Sequence, residues 1–466
     1  MKSLLENKNL IVEQLEGDTF TPILIFQRLS GRKKFLLESS LKYEASGRYS
    51  FIGTDPVFEL TGNGDRTTIK TETGQELRHE KPLEVLKSLL PENGAADFPL
   101  AGGAVGYAGY DVIRQYENIG ENLPDELSIP EVHFMFYEDV IVFDHLEQKI
   151  SIVASPLRKE TTIDELKDRI AKRKTELLAG GETKLTNDAN LSAFKASISK
   201  NDFIEKVAKA KKYISEGDIF QVVLSQRLQA TFTGDPFSFY RKLRVGNPSP
   251  YMYYLDFGDY VVAGSSPESL IKANGKKVTT NPIAGTRPRG KTEQEDRMHE
   301  NSLLVDEKEL AEHRMLVDLG RNDLGRICEF GTVHVDKYMA LEKFKHVMHL
   351  VSEVTGTLNE NYKPIDALIS CLPAGTVSGA PKIRAMEIIN ELEEVKRGVY
   401  SGAVGYVSAS GNLDFALAIR TMLIKNDKAY IQAGAGIVYD SSPEKEYEET
   451  LHKLKAFLED QDDIAN

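Results

Sequence analysis

"GAVGY" stands at residues 103–107 and returns at residues 402–406, each time in a strand-like setting. Two readings are open. Five residues can coincide by chance. Alternatively, the N- and C-terminal parts of the chain supply similar strands to one common sheet system, and then the two regions are not independent domains.

The surroundings extend both ways from these two points. Between 20 and 155 the chain reads mostly as strands and turns. "KFLLESS", "RYSFIGTDPVFELTG", "VHFMFYEDVIVFDH" and "KISIVAS" are rich in β-branched and aromatic residues with turn punctuation between them. The character changes at Pro156, where "RKETTIDELKDRIAKRKTELLAGG" is a charged helix running into a Gly/Thr/Asn linker. A helix follows from Ser199, its candidate cap, to a stop at Gly217. More strands fill 251–283. Helical patterns cover 300–320, the stretch from Pro381 to Gly398, and the end of the chain from Pro443. A meander is expected across 401–436. This places an N-terminal region at 1–155, a charged helix and linker at 156–199, and a further region at 200–460.

Bulk properties exclude several classes. A chain of 466 residues with 41% hydrophobic and 28% charged content suits a globular protein with a large core. The formal charge of −13 argues against nucleic acid, which wants a basic face. An anionic substrate would have to be held locally, by Arg, Lys, a helix N-terminus or a metal. Two cysteines, Cys328 and Cys371, form no disulfide framework and suit a reducing compartment. The first twenty residues carry acids throughout and do not read as a signal peptide. No 18-residue apolar run is present, so no membrane span and a cytoplasmic location are expected.

Several short motifs carry chemistry. Glu309 and Glu312 are three apart and share a helical face, and Glu446 and Glu449 repeat the spacing on the last helix. Facing carboxylates of this kind suit a hard cation such as Mg²⁺, although roughly ten acidic pairs at this spacing are expected from composition alone. "QAGAGIVYDSSPEKE" has Gly434, Ala435 and Gly436 before a helix start, a backbone able to cradle a carboxylate or merely to turn. A strand ends in these three residues, whereas "LPAGTVSGAPK" at 372–382 is a Gly/Ser/Thr loop with Pro381 at a plausible first helical position. "TTNPIAGTRPRG" at 279–290 pairs a Gly-containing loop with Arg287 and Arg289, yet its central Ala284 has no chemistry. His346 and His349 in "HVMHL" are three apart without a third ligand, so packing or acid–base work are the readings. Glu268 in "GSSPESL" follows an apolar strand, where a carboxylate can be buried and hold its proton. Neither cysteine sits in a nucleophile turn.

These pieces occur together and in order. "NPSPYMYYL", "SSPES", "PIAGTRPRG", "ELAEHRMLVDLGRNDLGR", "PAGTVSGAPKIRAMEII", "GAVGY", "AIRTML" and "QAGAGIVYDSSPEKEYEET" give a chain that resembles the chorismate-utilising enzymes. Within them it is similar to the large subunits (component I) of anthranilate synthases, densely over 200–458 and more loosely before that. The resemblance implies an α+β fold, an antiparallel β-sandwich core flanked by helices with the active site in a cleft. It implies conversion of chorismate and ammonia to anthranilate and pyruvate, at the entry to tryptophan biosynthesis. By position it implies Mg²⁺ on Glu312 and Glu449, with Glu309 and Glu446 nearby. Gly285, Thr286, Thr376, Tyr400, Arg420, Gly434, Ala435 and Gly436 fall where chorismate is held. His349, Glu268 and Gln221 fall at catalytic positions.

The resemblance also explains Ala284. Aminodeoxychorismate synthases, the runner-up, typically carry a lysine there that attacks C2. Isochorismate and salicylate synthases use a lysine where Gln221 stands. Lacking both, this chain is expected to leave C2 open to ammonia. A non-catalytic chorismate- or tryptophan-binding protein is the reading from another class. An L-tryptophan pocket is implied at Ser39, Pro250, Tyr251 and Met252. A separate glutamine amidotransferase subunit is implied as partner, since glutamine hydrolysis needs an activated nucleophile that this chain lacks.

Overall fold

In the computed structural model the two "GAVGY" segments pair with each other. Strand Gly103–Ala108 lies antiparallel to Ala403–Ser408, with Gly106 opposite Gly405, Val105 opposite Tyr406 and Tyr107 opposite Val404. The repeat is therefore a local two-fold about the Gly–Gly pair. Both glycines are required by close approach. A Cβ on Gly106 would lie 2.0 Å from the His133 carbonyl oxygen, and one on Gly405 would lie 2.0 Å from that of Asp414. The structure describes residues 5–7, 10–39, 47–90, 97–180, 188–344 and 347–457, so His346 lies outside the described residues.

Among the described residues the strands form two antiparallel sheets, of 14 and 12 strands. Both sheets take strands from either side of the 156–199 segment. In the larger sheet the join is Phe35–Glu38 against Tyr251–Asp256, and in the smaller it is the "GAVGY" pair. Period-two alternation sorts side chains between layers. Tyr253 and Leu255 enter a core shared with Val105, Tyr107, Val404 and Tyr406 of the other sheet, while Met252 and Tyr254 face outward. The outward faces are covered by helices. Leu166, Ile170 and Leu177 of Ile163–Leu178 pack on the larger sheet, and Val317 and Leu324 of Glu307–Gly325 pack on the smaller. The result is two sheets face to face with helices outside, the expected α+β sandwich.

Three boundaries differ from the sequence reading. The helical stretch at 300–320 is two helices, Glu293–Leu304 and Glu307–Gly325. Asp306 breaks it because its carboxylate caps the second helix, accepting from the Lys308 and Glu309 amides at 3.1 and 3.2 Å. The helix after Pro381 ends at Leu392, because Glu393 turns inward as the buried partner of Arg397 at 2.6 Å. The supposed meander changes sheets midway. Leu413–Leu417 belongs to the smaller sheet and Thr421–Lys425 to the larger. No helix among the described residues is long and apolar enough to cross a membrane.

Candidate active site

The chain crosses between the sheets at two adjacent points, and a charged residue sits at each. Glu268 lies between Tyr260–Ser266 and Ser269–Asn274, and Arg420 lies between Leu413–Leu417 and Thr421–Lys425. The crossings are stitched together. The Leu417 amide donates to the Glu268 carbonyl and the Ser265 amide to the Arg420 carbonyl, both at 3.0 Å. Arg420 takes φ +49°, a left-handed conformation costly for a side chain of this size and common at functional positions. Thr376 donates its hydroxyl to Glu268 Oε1 at 2.9 Å. Burial pushes the Glu268 carboxyl up to about 7, against the opposing pull of Thr376 and Arg420.

A second wall is the edge of the smaller sheet, where Ile283–Pro288 pairs with Val347–Thr357. Register shifts between Ala284 and Thr286, so Gly285 bulges. Gly285 has φ +73°, and a Cβ there would meet Leu303 at 2.9 Å, so glycine serves both the conformation and the fit. His349 Nδ1 lies 3.0 Å from both the Gly285 carbonyl and the Thr286 hydroxyl. A carbonyl accepts only, so Nδ1 carries the proton and Nε2 keeps its lone pair. Burial lowers the imidazole pKa and Arg420 lowers it further, which favours the neutral ring.

The third wall is Gln221–Gly234 against Lys428–Ile437. Gly434, Ala435 and Gly436 stand at the end of a strand, as expected. They lie inside the ladder opposite Ser225, Leu224 and Val223. The turn comes only after Ile437, because this strand continues to the end of its long partner. On its other side, Thr421–Lys425 pairs only as far as Ile431, so among the described residues no strand pairs there with the backbone at 433–437. The glycines admit neighbours closely. A Cβ on Gly434 would lie 2.9 Å from Tyr400 Oη, and one on Gly436 would lie 2.7 Å from Gln221 Nε2.

The acidic helices border this cleft. Gln221 Nε2 donates to Glu312 Oε1 at 3.3 Å. Burial raises the Glu312 and Glu446 carboxyls, and each is raised further by its partner on the same helix, Glu309 and Glu449 respectively. Lys308 and Lys453 act on both Glu312 and Glu446, so both helices face one electrostatic region. The carboxylates are nevertheless held as separate pairs. Glu309 accepts from Arg287 at 3.3 Å, and Glu449 pairs with Lys453 at 2.8 Å. Among the described residues no three His, Cys, Asp or Glu side chains gather into a metal-holding group. The donor chemistry fits a hard divalent cation, and the oxygens stand uncollected.

Lys453 was not singled out from the sequence. Its Nζ reaches the Gly434 carbonyl at 2.9 Å, joining the last helix to the glycine edge. The signal was its position four residues after Glu449 on the same helical face. Ser39, Pro250, Tyr251 and Met252 line one cavity of about 60 Å³ away from the cleft. Tyr251 donates there to Asp414 at 2.9 Å, and Asp414 pairs with Lys272 at 3.5 Å.

A family model described as chorismate binding enzyme matches residues 33–459. The chain belongs to the chorismate-binding enzyme family. Among curated relatives of this chorismate-binding enzyme, anthranilate synthase component 1 of Acetivibrio thermocellus is 48% identical, over 98% of this chain and 96% of its own. That of Lactococcus lactis subsp. lactis (strain IL1403) is 46% identical, over 96% and 98%. The solved structure of anthranilate synthase component I from Streptococcus pneumoniae TIGR4 superposes with a TM-score of 0.83 at 44% identity, covering 98% of this chain and 100% of that one. A menaquinone-specific isochorismate synthase from Escherichia coli shares the fold, with a TM-score of 0.74 at 17% identity over 98% and 96% of the two chains.

Proposed function

We propose that this chorismate-binding enzyme converts chorismate and ammonia to anthranilate, pyruvate and water, as the component I of an anthranilate synthase. The observation that supports the reading is a buried Glu268 carboxyl that holds its proton at the sheet crossing, in a chain with no lysine at Ala284 or Gln221. Arg420 grips one substrate carboxylate bidentately, and the strand edge at Gly434–Gly436, with Lys453 bonded to it, receives the other. A new C–N bond forms at C2 as the C4–O bond breaks. The departing oxygen takes the Glu268 proton and leaves as water. Loss of the C2 proton and of the enolpyruvyl group as pyruvate then makes the ring aromatic. Neutral His349, with Nε2 free to accept, is the group placed to take that proton.

Glu309, Glu312, Glu446 and Glu449 would hold the Mg²⁺ ion, whose charge would offset a substrate carboxylate amid the acidic chain. Cytoplasmic location and a glutamine amidotransferase partner complete the reading. Ser39, Pro250, Tyr251 and Met252 would form the seat for L-tryptophan as feedback inhibitor, their cavity of about 60 Å³ widening to admit it, and an enzyme whose rate ignores millimolar tryptophan would remove that element. The whole is tested by following anthranilate fluorescence from chorismate, Mg²⁺ and an ammonium salt at alkaline pH. Absence of anthranilate, with chorismate consumed to another product or merely bound, overturns it.

A further inference from the structure

A small chamber lies beside Glu268, between it and the helix Glu307–Gly325. Its volume is about 30 Å³, room for one or two water-sized molecules and no more. Glu268, Thr376, Asn281 and Asp323 are among its polar lining, and Leu316 and Leu319 among its apolar walls. Leu319 and Asp323 also line a much larger outer groove of about 580 Å³, between Glu307–Gly325 and Lys382–Leu392. The two cavities thus meet at one partition made of these two side chains. Asp323 is buried there and accepts two hydrogen bonds from Lys382, at 2.7 and 2.8 Å. Leu319 rests on the loop that carries Thr376, since a Cβ on Gly375 would lie 2.2 Å from its Cδ2.

The proposed reaction creates a water molecule where it is hardest to release. That water forms between the substrate and Glu268, while the cleft side is filled by the substrate ring. Glu268 is left ionised and needs a proton before the next turnover. We propose that the chamber receives the water formed from the C4 hydroxyl and passes it, between Leu319 and the Asp323–Lys382 pair, to the outer groove, through which solvent also returns a proton to Glu268. Atoms and charge balance without a further reactant: one water leaves for each C4–O bond broken, and the proton that returns to Glu268 offsets the one the new C2 ammonium gives up to solvent. Asp323 is the polar halting point that keeps a single file of water satisfied on the way. Leu319 sets the bore. This inference rests on Glu268 being the acid to the leaving hydroxyl.

The test is Leu319→Phe, with Leu319→Ala as the widened control, both read by rapid-quench and steady-state kinetics with chorismate and ammonium salt. A blocked exit leaves the first turnover at the wild-type rate and lowers steady-state kcat by about tenfold, because release has become limiting. KM for chorismate falls with it, so kcat/KM stays at the wild-type value, and Leu319→Ala keeps wild-type kcat. A disturbed fold would slow the first turnover as well, so that outcome overturns the proposal, as does a wild-type steady state in Leu319→Phe. If Leu319→Phe is not recovered folded, Leu319→Met, close in volume but longer, carries the same burst signature at smaller amplitude. A wild-type enzyme making no anthranilate would instead defeat the underlying reading of the site.

Discussion

Glu268 holds its proton near neutrality because burial penalises the carboxylate more than Thr376 and Arg420 stabilise it. The same penalty acts on the fold. Below pH 4.5 the group is neutral in folded and unfolded chains alike. Between 4.5 and about 7 the unfolded chain ionises while the folded one keeps its proton, so stability falls as pH rises. Above 7 the cost is complete, at about 3 kcal/mol. Glu268→Gln should therefore melt higher than wild type at pH 8 and equal to it at pH 4, while losing at least about a hundredfold in kcat. Equal melting temperatures at both pH values would show that the carboxyl is not desolvated. Ala284 supports a second expectation at this scale. It sits beside the Gly285 bulge, opposite Leu350, and the reading of the site has a lysine there reach C2. Ala284→Lys should cut anthranilate formation by about tenfold or more, and mass spectrometry with chorismate should detect a covalent adduct; undiminished output would mean that residue 284 does not face C2.

The two acidic helices make their contribution as elements. Each holds its carboxylate pair on one face, and Arg287 and Lys453 hold one member of each pair apart from the other. Glu312→Gln and Glu449→Gln should each lower activity by about a hundredfold while circular dichroism and melting stay near wild type, because Glu449 is exposed and Glu312 borders the cleft. Near-normal turnover of either variant at limiting Mg²⁺ would displace the proposed site. Elements were also where the sequence was most and least legible. Thr162 with Glu165 and Ser199 with Asp202 are capping boxes written in the chain, and both helices begin there. The break at Asp306 was hidden because Asp suits a helix face in pattern and a cap in fact. The sheet change at Arg420 was hidden because both strands have the same alternation, and nothing local says which neighbour each will meet. Lys453 was hidden among the charges of an exposed face. The acids and glycines of the site were readable because their spacing survives in one dimension, whereas their distances depend on which strands lie side by side.

At the scale of the whole molecule, neither cysteine is suited to attack glutamine. Burial pushes the Cys328 thiol up to about 11 and Cys371 higher still, so neither is a thiolate at neutral pH. The double variant Cys328→Ser, Cys371→Ser should keep ammonia-dependent activity, and glutamine-dependent activity should appear only when an amidotransferase subunit is added. Anthranilate made from glutamine by the purified wild-type chain alone would end the two-subunit reading.

The "GAVGY" pair has a consequence for how the protein is born. Strand Gly103–Ala108 leaves the ribosome about 300 residues before Ala403–Ser408, its partner, which at ordinary translation speeds is a wait on the order of 15 to 60 s. Throughout that time the strand offers a bare, hydrophobic hydrogen-bonding edge, the kind that recruits other chains. Nascent N-terminal halves should thus be clients of holding chaperones. Residues 1–199 expressed alone should aggregate, and supplying 200–466 as a second polypeptide in the same cell should bring them into solution. A soluble, monomeric 1–199 fragment would show that the edge is covered some other way.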